Sequence, residues 1–189
     1  MCTFITTTLA QDADLSGMRQ LLERYNMSFE PVANDHVRSQ LPPRTLYCRA
    51  TRDFCDCGTL LGSGRNDPSI SENAREQRHI ERLRKKGWSE AKISRWQSQK
   101  SLSAVNQDRS DQNETSRWTN FLLEVLTNQY ANRIGLIIHD YSGSLKSEKF
   151  SVKRLDKISA HALTQDFFKQ MEADVLYEIS YYSAGRSYK

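Results

Sequence analysis

Thr45-Leu46-Tyr47-Cys48-Arg49-Ala50-Thr51 puts Leu46, Cys48 and Ala50 on one side of an extended chain and Tyr47, Arg49 and Thr51 on the other. That period of two predicts a half-buried β-strand. It runs straight into Arg52-Asp53-Phe54-Cys55-Asp56-Cys57-Gly58, which opens a loop with turn chemistry at Gly58, Gly62, Gly64 and Asn66-Asp67-Pro68. The glycines lack the Gly-Lys-Ser/Thr ending of a phosphate loop, so a flexible turn is their reading.

Outward toward the N-terminus, Cys2–Leu9 is rich in β-branched residues and predicts a first strand. Asp14 is placed to cap a helix with Leu15, Met18, Leu22 and Tyr25 at spacings of three and four, and Leu21 widens the apolar stripe. Pro31, Pro42 and Pro43 bracket an irregular connection. Outward toward the C-terminus, Ser71–Lys86 predicts a charged helix that Gly87 ends. Ser89 is an N-cap for a second helix, with Trp88 and Ile93 at the two positions of a hydrophobic staple. Ala104–Asn113 is polar and aperiodic, which predicts a mobile connection. Thr115–Asn132 then shows helical spacing through Trp118, Phe121, Leu122, Val125, Leu126 and Tyr130. Arg133–Tyr141, Lys149–Leu155 and Val175–Tyr182 predict strands, and Gln165–Met171 a helix.

This order predicts one α+β domain over 1–189. It should have a mostly antiparallel sheet of four or five strands, with helices on one face. Residues 71–113 form a basic helical-hairpin excursion and its polar connection. A chain of 189 residues suits a single core, and 7 Phe, 8 Tyr and 3 Trp argue against general disorder despite a mean hydropathy of −0.70. No apolar run approaches the ~20 residues that span a bilayer, and no signal-like segment opens the chain. A cytoplasmic location with reduced thiols is the resulting expectation.

The formal charge of +4 is concentrated. Ser71–Lys100 carries nine Lys or Arg against four Glu, a net +5, which leaves −1 for everything else. Electrostatic attraction to an acidic partner is therefore expected to be local. Arg82, Arg84, Lys85, Trp88, Lys92, Arg95 and Trp96 are the candidate contact residues, the tryptophans as anchors. Pairs such as Glu72–Arg75 and Glu81–Lys85 equally suit a self-paired, solvated face.

The four cysteines are Cys2, Cys48, Cys55 and Cys57. Cys55 and Cys57 supply two ligands of a zinc site, with Cys2, Cys48 or His139 to complete it. Cys-x-Cys is less usual than Cys-x2-Cys, and alternation makes Cys48 a core residue. His139 and Asp140 also stand at a strand end, where an imidazole would activate Cys55 or Cys57 as a nucleophile with Asp140 or Asp56 orienting the ring. If Met1 is removed, Cys2 carries a free amine beside its thiol, the arrangement of N-terminal nucleophile amidotransferases. Thr3 stands where those enzymes usually have Gly, and a small residue opening a strand is the simpler reading.

No motif here completes a catalytic set. The residues point first to a macromolecule-binding protein, of the regulator, antitoxin or immunity-inhibitor kind, that meets an acidic protein through the basic helical pair. The alternatives are a zinc-binding or thiol-dependent enzyme centred on Cys55, Cys57 and His139, and a helix-turn-helix binder of nucleic acid.

Overall fold

The structure, a computed structural model, describes residues 2–53, 55–57, 59–62 and 80–181, with the backbone alone over 100–109. The chain divides into two units, Met1–Ser63 with Asn113–Lys189, and Gly64–Gln112.

The first unit is built on a six-stranded sheet. Its strands are β1 (Cys2–Ala10), β2 (Met27–Pro31), β3 (Thr45–Thr51), β4 (Ile134–Tyr141), β5 (Arg154–Ser159) and β6 (Val175–Ser180). They lie in the order β2-β3-β1-β4-β6-β5. Every neighbouring pair is antiparallel except β5 and β6, which run parallel. The fold is thus α+β and mostly antiparallel, with six strands rather than four or five.

The extra strand is β2. Its reading was obscured by Pro31 and by a bulge between Met27 and Glu30, where Phe29 takes a φ of 48°. The last edge strand is displaced from the expected Lys149–Leu155. Phe150 and Val152 alternate there because they pack on the sheet, not because they pair with a strand.

Strand alternation sends Ile5, Leu9, Cys48, Ala50, Ile134, Leu136 and Ile138 to one face. Three helices cover them. Helix α1 (Arg19–Arg24) brings Leu21 and Leu22, α5 (Gln165–Gln170) brings Phe168, and α4 (Glu90–Thr127) brings Trp118, Phe121, Leu122 and Val125. The opposite face is covered too. There Val37 of α2 (Asp35–Arg38) and Phe150 pack over Tyr47, Ile137, Tyr141 and Leu176. Helices therefore lie on both faces, although the larger ones share one.

Helix α1 is shorter than its periodicity suggested. Asp14 accepts the Gly17 amide at 2.8 Å, so its side chain caps a turn, and regular helix begins at Arg19. Helix α2 is four residues long. Asn34 caps it by accepting the Val37 amide at 3.1 Å, and donates to the Leu145 and Glu148 carbonyls.

In the second unit residues 80–85 are helical and precede Gly87, at a φ of 79°. A helix α3 ends here, and residues 71–79 of its expected span lie outside the described residues. Trp88 donates its amide to the Leu83 carbonyl at 3.1 Å, and α4 begins at Glu90. The expected connection at Ala104–Asn113 is instead continuous helix, for α4 runs 38 residues. No Gly or Pro interrupts that stretch, and a helix polar all round has no apolar period to reveal it.

Candidate functional site

The loop after β3 takes over where that strand stops. Register between β1 and β3 runs from Ala10↔Thr45 to Thr6↔Arg49, which leaves Cys2–Ile5 of the central strand without β3 beside it. Thr3 and Ile5, two residues apart, direct their amides to the same side. Ile5 donates to Asp56 Oδ2 at 2.8 Å and Thr3 to Cys57 Sγ at 3.2 Å. The Asp56 amide returns the bond, donating to the Thr3 carbonyl at 2.9 Å. A loop thus completes the ladder with a carboxylate and a sulfur where strand carbonyls would have stood.

Asp56 is fully buried, and its second oxygen accepts the Thr51 hydroxyl at 2.8 Å. Burial raises its carboxyl above the ordinary value, while the bonds from Ile5 and Thr51 and the charge of Arg49 oppose that rise. Its carbonyl accepts the Thr59 hydroxyl at 2.8 Å. Farther along, Leu60 donates its amide to Glu114 of α4 at 2.6 Å, and Leu60 and Leu61 enter the core. Gly62 passes so close that a Cβ built on it would lie 1.8 Å from the Asp56 carbonyl oxygen. Only glycine allows that approach.

Asp56 faces inward, so the flanking cysteines are left on the outer side of the loop. Sulfur atoms of Cys2, Cys55 and Cys57 lie within 4.8 Å of one another. Cys57 is exposed, and Cys2 and Cys55 are half-buried. The Thr3 amide lowers the Cys57 thiol, and the bond from Cys55 adds to this. For Cys55 the backbone bond from Cys57 acts downward, but bonding to the Cys57 sulfur, desolvation and the neighbouring thiols carry it upward. Three thiols so placed suit two chemistries, joint ligation of a soft cation and formation of a disulfide.

Cys55 and Cys57 are therefore joined by Cys2, whose place at the start of a strand gives no sign of this in the sequence. Strand order was the missing signal: β1 lies beside β3, so its first residues meet the loop that leaves β3. Cys48 is fully buried in the core, and burial pushes its thiol up to about 11.

His139 stands elsewhere. Its Nδ1 lies 2.5 Å from Asp174 Oδ1 and its Nε2 3.5 Å from Glu148 Oε1. The ring stacks on Phe150 at 3.9 Å and meets Tyr141 edge-on. Among the described residues it does not join the thiols, and Asp140 is held by the Thr3 hydroxyl at 2.5 Å.

In the second unit Arg82, Lys85 and Arg95 are exposed. Arg84 makes a two-pronged bond to Glu90 at 2.8 and 3.1 Å, and the Lys92 ammonium lies 4.1 Å over the Trp88 ring. Trp88 and Trp96 are half-buried, while Leu83 and Ile93 are buried.

No helix among the described residues is long and apolar enough to cross a membrane. Compared with protein-family models, curated proteins and solved structures, the chain matches none at a significant level.

Proposed function

We propose that this protein binds a thiophilic metal ion, with zinc the first to test, through Cys2, Cys55 and Cys57. The observation that carries the reading is the convergence of three sulfurs within 4.8 Å on a loop locked to the central strand. A zinc–sulfur bond of about 2.3 Å sets tetrahedral sulfurs roughly 3.8 Å apart, so small side-chain adjustments close the site. The Thr3 amide supports a thiolate at Cys57, since a donor to ligand sulfur favours its charged form. Solvent supplies the fourth position.

The test is titration of the reduced full chain with Co(II) and Zn(II). A 1:1 complex with thiolate-to-cobalt charge-transfer absorbance is expected. Cys2→Ser, Cys55→Ser and Cys57→Ser should each weaken it, and Cys48→Ser should not. Absence of any complex, with Cys2, Cys55 and Cys57 equally reactive toward alkylation with and without metal, overturns the reading.

A second reading is carried by the exposed cations Arg82, Lys85 and Arg95, which share their segment of chain with the half-buried Trp88 and Trp96. This surface suits contact with an acidic protein, which aromatic and arginine side chains anchor. Arg84 and Lys92 serve it less directly, because Glu90 and Trp88 already engage them. Reversing the charge at Arg82, Lys85 and Arg95 should abolish capture of that partner. Affinity for nucleic acid that falls steeply with salt would instead assign the surface to phosphate.

A further inference from the structure

We infer that the three thiols form a three-coordinate site whose ligand is trivalent arsenic, taken up as its neutral trihydroxide. This rests on the reading that the trio ligates a thiophilic ion, and it names which kind.

The first argument is ligand supply. Among the described residues no fourth Cys, His, Asp or Glu joins the group. Three side chains near in sequence or pairing have partners of their own, while Asp53 is exposed. Asp56 is turned inward to Ile5 and Thr51, Asp140 holds the Thr3 hydroxyl, and His139 lies between Asp174 and Glu148. Structural zinc wants four protein ligands, whereas trivalent arsenic makes three bonds and points a lone pair at the fourth position. The outer side of the trio, where Cys57 is exposed, suits that lone pair.

The second argument is charge. A divalent ion on three thiolates leaves the site at −1, close in chain to Asp53 and beside the buried Asp56, whose charge Arg49 offsets in part. Trivalent arsenic on three thiolates is neutral. Its uptake also conserves charge throughout: three S–H and three As–O bonds break, three As–S bonds form, and three waters leave. No electron is transferred, so no oxidant or reductant is needed.

The third argument is preorganisation. Two sulfurs come from a loop held by Asp56 and one from the end of a paired strand, so the sulfurs already meet before any ion arrives.

The experiment adds arsenite, Zn(II) and Cd(II) separately to the reduced full chain. It reads stoichiometry by intact mass, and protected cysteines by alkylation and peptide mapping. Expected is a 1:1 arsenic adduct that has lost three protons, protects Cys2, Cys55 and Cys57 but not the denatured-state reactivity of Cys48, and displaces Zn(II). Cys2→Ser should weaken arsenite binding at least tenfold. The wild-type protection map stands without that variant should it fold poorly. Binding of Zn(II) or Cd(II) through the same cysteines, with arsenite excluded or held by two sulfurs, overturns this inference and leaves metal binding intact. Failure of all three ions overturns both.

Discussion

The Asp56 carboxylate and the Ile5 amide meet at 2.8 Å, so the central strand of the sheet is finished by a loop side chain where its neighbouring strand has ended. Asp56 is sealed from solvent, and the same carboxylate holds the Thr51 hydroxyl at 2.8 Å. Asp56, between Cys55 and Cys57, thereby anchors the stretch that carries both thiols to the sheet.

Asp56→Ala strands two donors and should lower stability by about 1–3 kcal/mol for each left unpaired. Asp56→Asn should be far milder, because its oxygen accepts from Ile5 while its NH2 donates to the Thr51 hydroxyl. Denaturant unfolding of both variants checks this. Equal losses would mean that the carboxylate's bonds do not hold the loop.

Asp56 and Glu148 should impose opposite pH dependences. Burial raises Asp56, so the folded state takes up its proton first as pH falls. Stability relative to Asp56→Asn should therefore rise on acidification through the window above the ordinary carboxylate value, then level off. Glu148 is lowered by the Ser142 and Gly143 amides. Its contribution is complete above the ordinary carboxylate value and should be lost as pH falls through its depressed folded value. Unfolding curves of wild type, Asp56→Asn and Glu148→Gln at several pH values read both signs.

Gly62→Ala should displace the loop without dismantling the sheet. The added methyl meets the Asp56 backbone, which cannot swing aside as a flexible side chain would. Metal affinity should fall at least tenfold while the far-ultraviolet circular dichroism is kept. Unchanged affinity would show that the thiols converge without the Gly62 crossing.

Alkylation at neutral pH should modify Cys57 first and Cys48 last. The Thr3 amide lowers Cys57, whereas burial raises Cys48 to about 11 and hides it from reagent. Mass spectrometry after timed quenching gives the order, and early labelling of Cys48 would indicate local opening of β3.

Much of the architecture was legible where neighbours in sequence carry the signal. The alternation in Thr45–Thr51 marks β3 to the residue, and the β-branched opening marks β1. Signals failed where pairing partners lie far apart. Phe29 sits in a bulge whose left-handed backbone breaks the period of two, which concealed β2. Phe150 and Val152 alternate because they pack across a sheet face, which imitated a strand. For the site, Cys55 and Cys57 were conspicuous as a close pair, but Cys2 belongs with them only because β1 lies next to β3. His139 looked apt at a strand end, yet the left-handed Asp174 and stacked Phe150 that surround it come from distant segments.

The central strand also sets a timetable. Its ladder with β3, the Asp56 anchor and all three outer sulfurs lie within the first 62 residues, whereas its other neighbour, β4, ends at Tyr141. At 5–20 residues per second a ribosome takes about 4–16 s to cover that interval. Throughout it the mate of one edge of β1 has been synthesised and that of the other has not. An ion captured early would clasp the emerging chain at residues 2, 55 and 57. It would hold the first half of the sheet in register until the second half arrives.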